Sequence, residues 1–359
     1  MTEADEDAVA IENLVRERRT RLGWSQDELA RRAGLSRAGV SAIETGRLVP
    51  STAAALALAS AFKCRVEDVF RLRRSGSSEP TWAWPPTRAK CRYWRAEVDG
   101  AVRLYPVEAT PLGVVPHDGV LIDGTLVEGA AFDPARTLIA ASCDPAVGLL
   151  ASALAETAGV RLIALQRPSR QALALLGAGL VHVAGVHLAH ADAPGGNAAV
   201  VRELLGQGYR LLRVARWEEG VAAAPRLKLT SVDAAVRSKL RWVGREPGSG
   251  ARQCLDDLLG EARTPRRTAT DHRGVAEAVK SGWGDLGVCL RLVSEEAGLD
   301  FLGVREEAYD LCFHGEIVHD PRIEALLDVV RSSGYRRALG ELPGYRNADT
   351  GEVDSTSRS

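Results

Sequence analysis

Apolar positions recur at helical spacing over roughly the first 70 residues and at strand spacing after about residue 90, which divides the chain before any motif is considered. Leu29, Ala30 and Ala33 share one helical face, and Val40 and Ile43 repeat the pattern after a break at Gly34. Ser25 stands at the N-cap position with Glu28 three residues on as a capping-box partner, and Ser36 offers a second cap. Gly34 suits the positive φ that lets a second helix leave the first at a steep angle. A basic amphipathic run, Ile11 to Leu22, precedes this pair, and Ser51 to Phe62 and Val66 to Phe70 follow it. The pattern predicts five short helices.

A polar linker comes next, from Arg73 to Pro80, with a second break at Pro85-Pro86. Two alternating runs then flank Asp99-Gly100, a two-residue hairpin signal, and further turns are expected at His117-Asp118-Gly119 and Asp123-Gly124. Trp82, Trp84, Tyr93 and Trp94 concentrate here, either filling a core or packing on a neighbour, with ligand stacking as the alternative. From Thr137 the rhythm becomes strand, loop, helix, repeated, which argues for βαβ units and a parallel sheet. The expected strands lead through Cys143-Asp144-Pro145 and Arg167-Pro168-Ser169 into helices, and Val181–Leu188 follows. Leu240–Gly244 repeats the plan through Arg245-Glu246-Pro247-Gly248-Ser249-Gly250. Later strands are expected at Asp285–Leu290, Asp300–Val304 and Tyr309–Phe313, with a helix from Pro321 to Ser333.

Charge sharpens the division. The net charge of -1 hides a segment, Ile11 to Arg74, with 13 basic against 7 acidic residues, while residues 1–10 carry four acids and no base. Basic charge is thus gathered where the paired helices lie, the footprint expected of a nucleic-acid binder. The six cysteines show no CxxC or short metal-type spacing, which fits reduced thiols in a cytoplasm. There is no apolar run of signal-peptide or membrane-span length, so a soluble protein is expected.

Ser25-Gln26-Asp27-Glu28-Leu29-Ala30, Gly34-Leu35-Ser36 at the turn, and Ile43-Glu44-Thr45-Gly46-Arg47 at the close make Ile11 to Leu72 resemble the lambda-repressor/Cro-like helix-turn-helix domains of the XRE class. The resemblance implies that Gln26 and Ser36 contact phosphate, that Arg37, Ala38, Ser41 and Ala42 face the major groove, and that Arg47 reaches the backbone beyond. Arg37 is the candidate for a bidentate guanine contact, and Ala38 and Ala42 offer only methyl groups. In the alternative reading Gln26 and Glu44 brace helices within the domain through an arginine of the first helix.

The stretches Cys143–Ala151 with Leu165–Leu188, Ala215–Pro225 with Val243–Leu259, and His272–Arg291 with Leu299–Phe313 resemble the type II periplasmic-binding-protein fold. In particular they resemble the PBP-like domain, related to molybdate- and tungstate-binding proteins, of regulators fused to a helix-turn-helix. The implied architecture is multidomain: an all-α five-helix helix-turn-helix domain, a small β-rich spacer, and a two-lobed α/β domain. The segments are an acidic flexible N-terminus (1–10), the DNA-binding domain (11–72), a linker (73–86), the spacer module (87–134), the PBP-like domain (135–345) and a disordered tail (346–359). Lobe 1 takes 135–212 and 310–345, lobe 2 takes 223–302, and the chain crosses between them near Arg213–Ala222 and Gly303–Tyr309.

A cleft between such lobes would hold the ligand, because helix N-termini present unpaired N–H groups to an anion. Ser142, Ser169 and Ser249 would donate hydroxyls, Gly248 and Gly250 would let backbone approach, and Arg245 or Arg252 would supply charge. The sequence departs from the oxyanion pattern at Asp144, whose carboxylate would repel an anion unless it serves as a helix cap. His182, His187 and His190 near one strand end, His272 in the opposite lobe, and Cys143 and Cys312 form a second constellation. Were several of these to converge on the cleft they could bind a transition metal. Spacings of five and three residues do not put the first three histidines on one strand face, so the expectation is no metal and a His187 that donates a hydrogen bond to the ligand beside Cys143 and His272.

These features point to a cytoplasmic one-component transcription regulator that senses a small anionic ligand such as molybdate or tungstate. It would bind a palindromic double-stranded operator as a homodimer, with no resident cofactor and no enzymatic activity. The alternatives are a binding or storage protein for an anionic metabolite or metal oxyanion, and an enzyme acting on such a metabolite. No nucleophile elbow, Walker loop or HExxH motif supports the last.

Overall fold

Antiparallel pairing of Ala10–Asn13 (β1) with Phe70–Arg73 (β2) joins the two ends of the helical region. The computed structural model describes residues 10–66, 69–73, 80–129, 132–189, 196–260 and 265–356, divided into two units, Met1–Glu79 and Pro80–Ser359. Residues 1–9 and 74–79, which hold nearly all of the expected acidic segment and part of the expected linker, lie outside the described residues.

In the first unit the helix expected from Ile11 begins instead at Val15, as α1 (Val15–Arg21), because the residues before it are committed to β1 and Leu14 N–H donates to Val69 O at 2.8 Å. The helix expected at Val66–Phe70 falls partly outside the described residues, and its last residue opens β2. Between them lie α2 (Gln26–Ala33), α3 (Arg37–Glu44) and α4 (Thr52–Phe62). Ser25, Ser36 and Ser51 each accept from the backbone N–H three residues on, and Gly34 takes φ 65° at the turn. Glu28 does not close the capping box; its carboxylate pairs with Arg31 and Arg32 on its own helix. Leu29, Val40, Ile43 and Leu58 fill the core with Val15 and Val69.

The second unit opens with a five-stranded sheet. Its strands are β3 (Thr81–Trp82), β4 (Lys90–Val98), β5 (Ala101–Pro106), β6 (Gly119–Ile122) and β7 (Thr125–Glu128), in the order β3-β5-β4-β6-β7. Asp99 and Gly100 take φ 54° and 71°, the doubly positive geometry of a type I′ hairpin turn. The expected linker therefore ends before residue 81, and the expected spacer is not a free-standing module. Trp94, Ala96, Val98 and Tyr105 share one core with Ile139, Ile163, Leu173 and Val186 of lobe 1, and Trp84 packs against it, whereas Tyr93 and Trp82 meet edge-on with ring centroids 5.9 Å apart. The chain bends at Asp118 as expected, but its side chain is not that of a solvent-facing turn residue. It is buried, accepts Arg95 N–H at 2.6 Å, and holds the buried Arg161 guanidinium through bonds of 2.6 and 2.8 Å.

Lobe 1 runs β8 (Thr137–Ser142), α5 (Val147–Ala158), β9 (Arg161–Gln166), α6 (Ser169–Gly177), β10 (Val183–Val186) and α7 (Gly196–Leu205). The chain then crosses on β11 (Tyr209–Ala223) into lobe 2: α8 (Val232–Arg237), β12 (Trp242–Arg245), α9 (Gly250–Leu259), β13 (Arg267–Ala269), α10 (His272–Lys280), β14 (Leu286–Leu290) and α11 (Arg291–Glu296). It returns on β15 (Asp300–His314) to α12 (Pro321–Arg331), α13 (Ser333–Gly340), β16 (Tyr345–Arg346) and β17 (Val353–Ser355). The sheet order is β13-β12-β14-β11-β15-β10-β8-β9.

Strands β8, β9 and β10, and likewise β12, β13 and β14, pair in parallel, whereas β11 and β15 pair antiparallel from Tyr209 opposite His314 to Ala223 opposite Asp300. The sheet is thus mixed, and the two strands expected at 300–304 and 309–313 are halves of β15. The expected disordered tail is ordered through Thr356. Strand β17 pairs with Arg210–Leu212, Asp349 meets Arg213 and Arg216, and Thr350 Oγ1 donates to Val214 O at 2.6 Å. Its polar composition suits this role, because it covers an otherwise open sheet edge rather than entering a core.

Removing the partner of a buried guanidinium leaves an uncompensated charge. Asp118→Ala should therefore lower unfolding free energy by about 3–5 kcal/mol in urea titration, and a loss below about 1 kcal/mol would show that Arg161 finds water or another partner.

Candidate functional site

The turn geometry of the first unit leaves one face of α3 open. Arg37 and Ala38 are exposed, Ser41 and Ala42 half-buried, and Arg47 exposed just beyond the helix, where its Nε donates to Thr45 Oγ1 at 3.0 Å. Arg37 stands 3.5 Å from Asp27 in a solvent-exposed pair of the kind worth little. Gln26 and Glu44 follow the bracing alternative. Glu44 accepts from Arg19 at 2.5 and 3.1 Å and from Gln26 Nε2 at 2.8 Å. Burial would raise the Glu44 pKa, but the bonds from Arg19 and Gln26 hold it below the ordinary value. Ser36 Oγ is engaged by Gly39 N–H at 3.0 Å as the cap of α3.

In the second unit the loops at the strand ends of both lobes converge on the β11–β15 ribbon. Alternation along a strand puts Trp217 and Glu219 on one face of β11, and Arg305, Glu307 and Tyr309 on the same face of β15, with Trp217 opposite Glu307 and Glu219 opposite Arg305. Lobe 1 contributes Ser142, Cys143, Ser169 and His187; lobe 2 contributes Arg245, Ser249, Gly250 and His272. Cys143, His187, Glu219, Arg245, His272 and Glu307 are each no more than 2% exposed, so the lobes are shut upon them. Arg170 N–H of lobe 1 donates to Gly248 O of lobe 2 at 3.4 Å across the junction.

His187 is the centre of this cluster. Its Nε2 lies 2.9 Å from Cys143 Sγ and its Nδ1 lies 2.9 Å from Glu307 Oε2. Trp217 packs edge-on against its ring and donates to the same Glu307 oxygen at 3.5 Å, while Arg305 binds the other oxygen. Burial opposes a charge on His187, yet Cys143 and Glu307 raise its pKa well above the ordinary imidazole value. Burial would likewise raise Glu307, but the hydrogen bond from His187 and the charges of His187 and Arg305 hold it low. Burial and the neighbouring Glu307 charge push Glu219 up, so the ribbon carries one ionised and one protonated carboxyl. Neither ring nitrogen of His272 has a hydrogen-bond partner, although its ring centroid is 5.7 Å from that of His187. Burial, then the Arg245 and His187 charges, depress its pKa well below the ordinary value and leave it neutral.

The three serines do not form the anticipated oxyanion cradles. Ser142 Oγ shares a 2.6 Å hydrogen bond with Tyr309 OH and accepts Asp144 N–H at 3.1 Å; Ser169 Oγ accepts His187 N–H at 3.2 Å; Ser249 Oγ caps α9 and donates to Glu246 O at 3.1 Å. Asp144 turns from the cleft toward Ala146 N–H and Tyr345 OH, and Arg252 pairs along its own helix with Asp256. Arg245 does reach the site; Glu246 takes its Nε and Nη2, and Nη1 is unpartnered. His182 is spent on Ile139 N–H and Glu97 O, Cys312 lies in the lobe 1 core, and His190 is outside the described residues. Trp217, Glu219, Arg305, Glu307 and Tyr309 were not among the expected site residues. Their signal is the i, i+2 spacing of Trp217 and Glu219 on one strand and of Arg305, Glu307 and Tyr309 on the other.

A Cβ on Gly250 would stand 2.3 Å from His187 O and 2.4 Å from its Nδ1, a backbone clash across the two lobes. Gly250→Ala should cost about 1–3 kcal/mol of stability as an overpacked junction. It should also speed alkylation of Cys143, read by mass spectrometry, as the lobes part. Unchanged labelling together with unchanged stability would show that the junction yields without opening.

Among the described residues no helix is long and apolar enough to cross a membrane. A family model described as PBP superfamily domain matches residues 151–331, and a helix-turn-helix model matches residues 15–69. The uncharacterised protein YvgK of Bacillus subtilis is 27% identical over 185 residues, which is 49% of this chain but only 59% of that relative. The uncharacterised HTH-type transcriptional regulator YgzD of the same organism is 45% identical over 62 residues, 17% of this chain and 94% of its own length. Among solved structures, a tungstate ABC transporter protein from Geobacter sulfurreducens covers 55% of this chain and 95% of its own, at 16% identity and TM-score 0.43. PhnD1 from Prochlorococcus marinus in complex with methylphosphonate covers 60% and 93%, at 13% identity and TM-score 0.43. The chain belongs to the PBP superfamily domain family, and it carries the DNA-binding helix-turn-helix of a transcriptional regulator ahead of that domain.

Proposed function

We propose that this chain is a one-component transcription regulator in which a small ligand held between the lobes sets the operator affinity of the helix-turn-helix. The observation that carries the reading is one chain bearing both an open α3 face, with Arg37 and Ala38 exposed, and a shut junction lined by buried, partly unpartnered polar groups. Cys143 and His187 come from one lobe and Arg245 and His272 from the other, so a ligand touching both sets favours the closed arrangement. Such differential affinity is what shifts a conformational equilibrium, by typically 1–3 kcal/mol between coupled sites. One recognition helix reads few base pairs, which supports a homodimer on a palindromic operator in the cytoplasm.

An oxyanion such as molybdate or tungstate finds support in the Gly248-Ser249-Gly250 turn and the free Nη1 of Arg245. The engaged hydroxyls of Ser142, Ser169 and Ser249 and the buried carboxyls of Glu219 and Glu307 weigh against it. A thermal-shift comparison of molybdate, tungstate, sulfate and phosphate separates the cases, since a ligand at 100 times its dissociation constant adds about 2.7 kcal/mol.

Fluorescence anisotropy with duplexes from the protein's own upstream region tests the regulator reading. Affinity should fall roughly 1,000-fold between 50 and 200 mM salt, as for a protein making six or more phosphate contacts. Arg37→Ala should erode discrimination between operator and scrambled duplex by roughly 5- to 150-fold, the equivalent of about 1–3 kcal/mol. Absence of any duplex binding at low salt would leave a storage or binding role instead.

A further inference from the structure

Three atoms of the kinds that bind metal meet at the lobe junction from three separate elements. Cys143 Sγ and one ring nitrogen each of His187 and His272 all lie within 4.8 Å of one another, and all three residues are buried. We propose that they form a site for a thiophilic divalent cation of the zinc class, bridging the two lobes; its sensory role rests on the regulator reading above, and its existence does not.

Thiolate and imidazole are the donors that select such ions over calcium or magnesium. Bonds of about 2.3 Å to sulfur and 2.0–2.1 Å to nitrogen set ligand atoms roughly 3.5 Å apart. The 2.9 Å between Cys143 Sγ and His187 Nε2 therefore widens by roughly half an ångström, and His272 swings toward them. His187 is already oriented for the task, because a ligating imidazole is typically held by a carboxylate on its other nitrogen, and Glu307 occupies that position at 2.9 Å. Arg305 and Trp217 fix Glu307 in turn. Glu246 offsets Arg245 and Arg305 pairs with the ribbon carboxyls, which leaves the Cys143 thiolate as the anionic ligand facing the cation. Three protein ligands leave a fourth position for water or a further donor.

A thiol relay of Cys143, His187 and Glu307 acting on a substrate is the competing use of the same atoms. It assigns no part to His272, whose two buried nitrogens without partners are what a cation explains. Because the His272 ring makes no hydrogen bond, His272→Ala leaves no other polar group without a partner, and circular dichroism and urea titration check that the variant folds.

The test is titration of untagged, reduced full-length protein with Co2+, then Zn2+ in competition. One equivalent of Co2+ should give thiolate-to-cobalt charge-transfer absorption in the near ultraviolet, which Zn2+ bleaches. Cys143→Ser should abolish the absorption, His272→Ala should weaken binding at least tenfold, roughly as loss of even a supporting partner does, and Glu307→Gln should weaken it about 10- to 100-fold. Absence of the absorption, its survival in Cys143→Ser, or unchanged affinity in His272→Ala would each overturn the site. In anisotropy measurements Zn2+ should change the operator affinity of the unmodified protein and not that of His272→Ala. Cobalt binding with no effect of Zn2+ on DNA overturns the sensory role alone. Cobalt binding without any duplex binding overturns the regulator reading and leaves the site standing, and duplex binding without cobalt does the reverse.

Discussion

The antiparallel ribbon of β11 and β15 is the constraint on which the second unit depends. Each strand runs for 15 residues through both lobes, so neither lobe completes its sheet without the other's half of the same two strands. Backbone pairing at this length fixes the period-2 alternation of its faces, and one face delivers Trp217, Glu219, Arg305, Glu307 and Tyr309 to the junction. The loops of the lobes are then brought to a ready-made row of charges. His187 joins the two systems, since its ring reads the ribbon through Glu307 and the first loop of lobe 1 through Cys143.

Local signals carried the first unit well. Ser25, Gly34, Ser36 and Ser51 do in the structure what their chemistry demands, because a cap or a left-handed turn is settled within three or four residues. The strand at Ala10–Asn13 was illegible for the opposite reason. Its partner lies some 60 residues away, at Phe70–Arg73, and nothing in a basic amphipathic run announces that pairing. The β-rich segment was legible as hairpins from Asp99-Gly100 and Asp123-Gly124, but not as part of lobe 1, because a shared core is a property of two surfaces and not of either sequence.

The junction divides in the same way. A serine at a strand-to-helix turn reads identically whether its hydroxyl caps the helix, as at Ser249, or waits for an anion, and only the partners decide. Cys143, His187 and His272 could be named as residues of interest from their places at loop ends. Their convergence could not be read, because it spans two lobes and depends on closure. Glu219 and Glu307 stood hidden in strands because charged residues on strands usually face solvent, whereas here both are fully buried on the ribbon.

The segment from Tyr345 to Thr356 gives the ribbon a property of its own. Strands β16 and β17 take the backbone groups of Arg216–Trp217 and Arg210–Leu212 on the side β15 leaves open. Asp349 ties Arg213 and Arg216, and Arg213 is also bound to Asp310 of β15. This short polar segment is therefore a selvedge: were it peeled away, the crossing ribbon would show a bare row of N–H and C=O groups, the template on which separate chains stick to one another. The same dozen residues thus cover the edge of β11 and tie Arg213 and Arg216 in place.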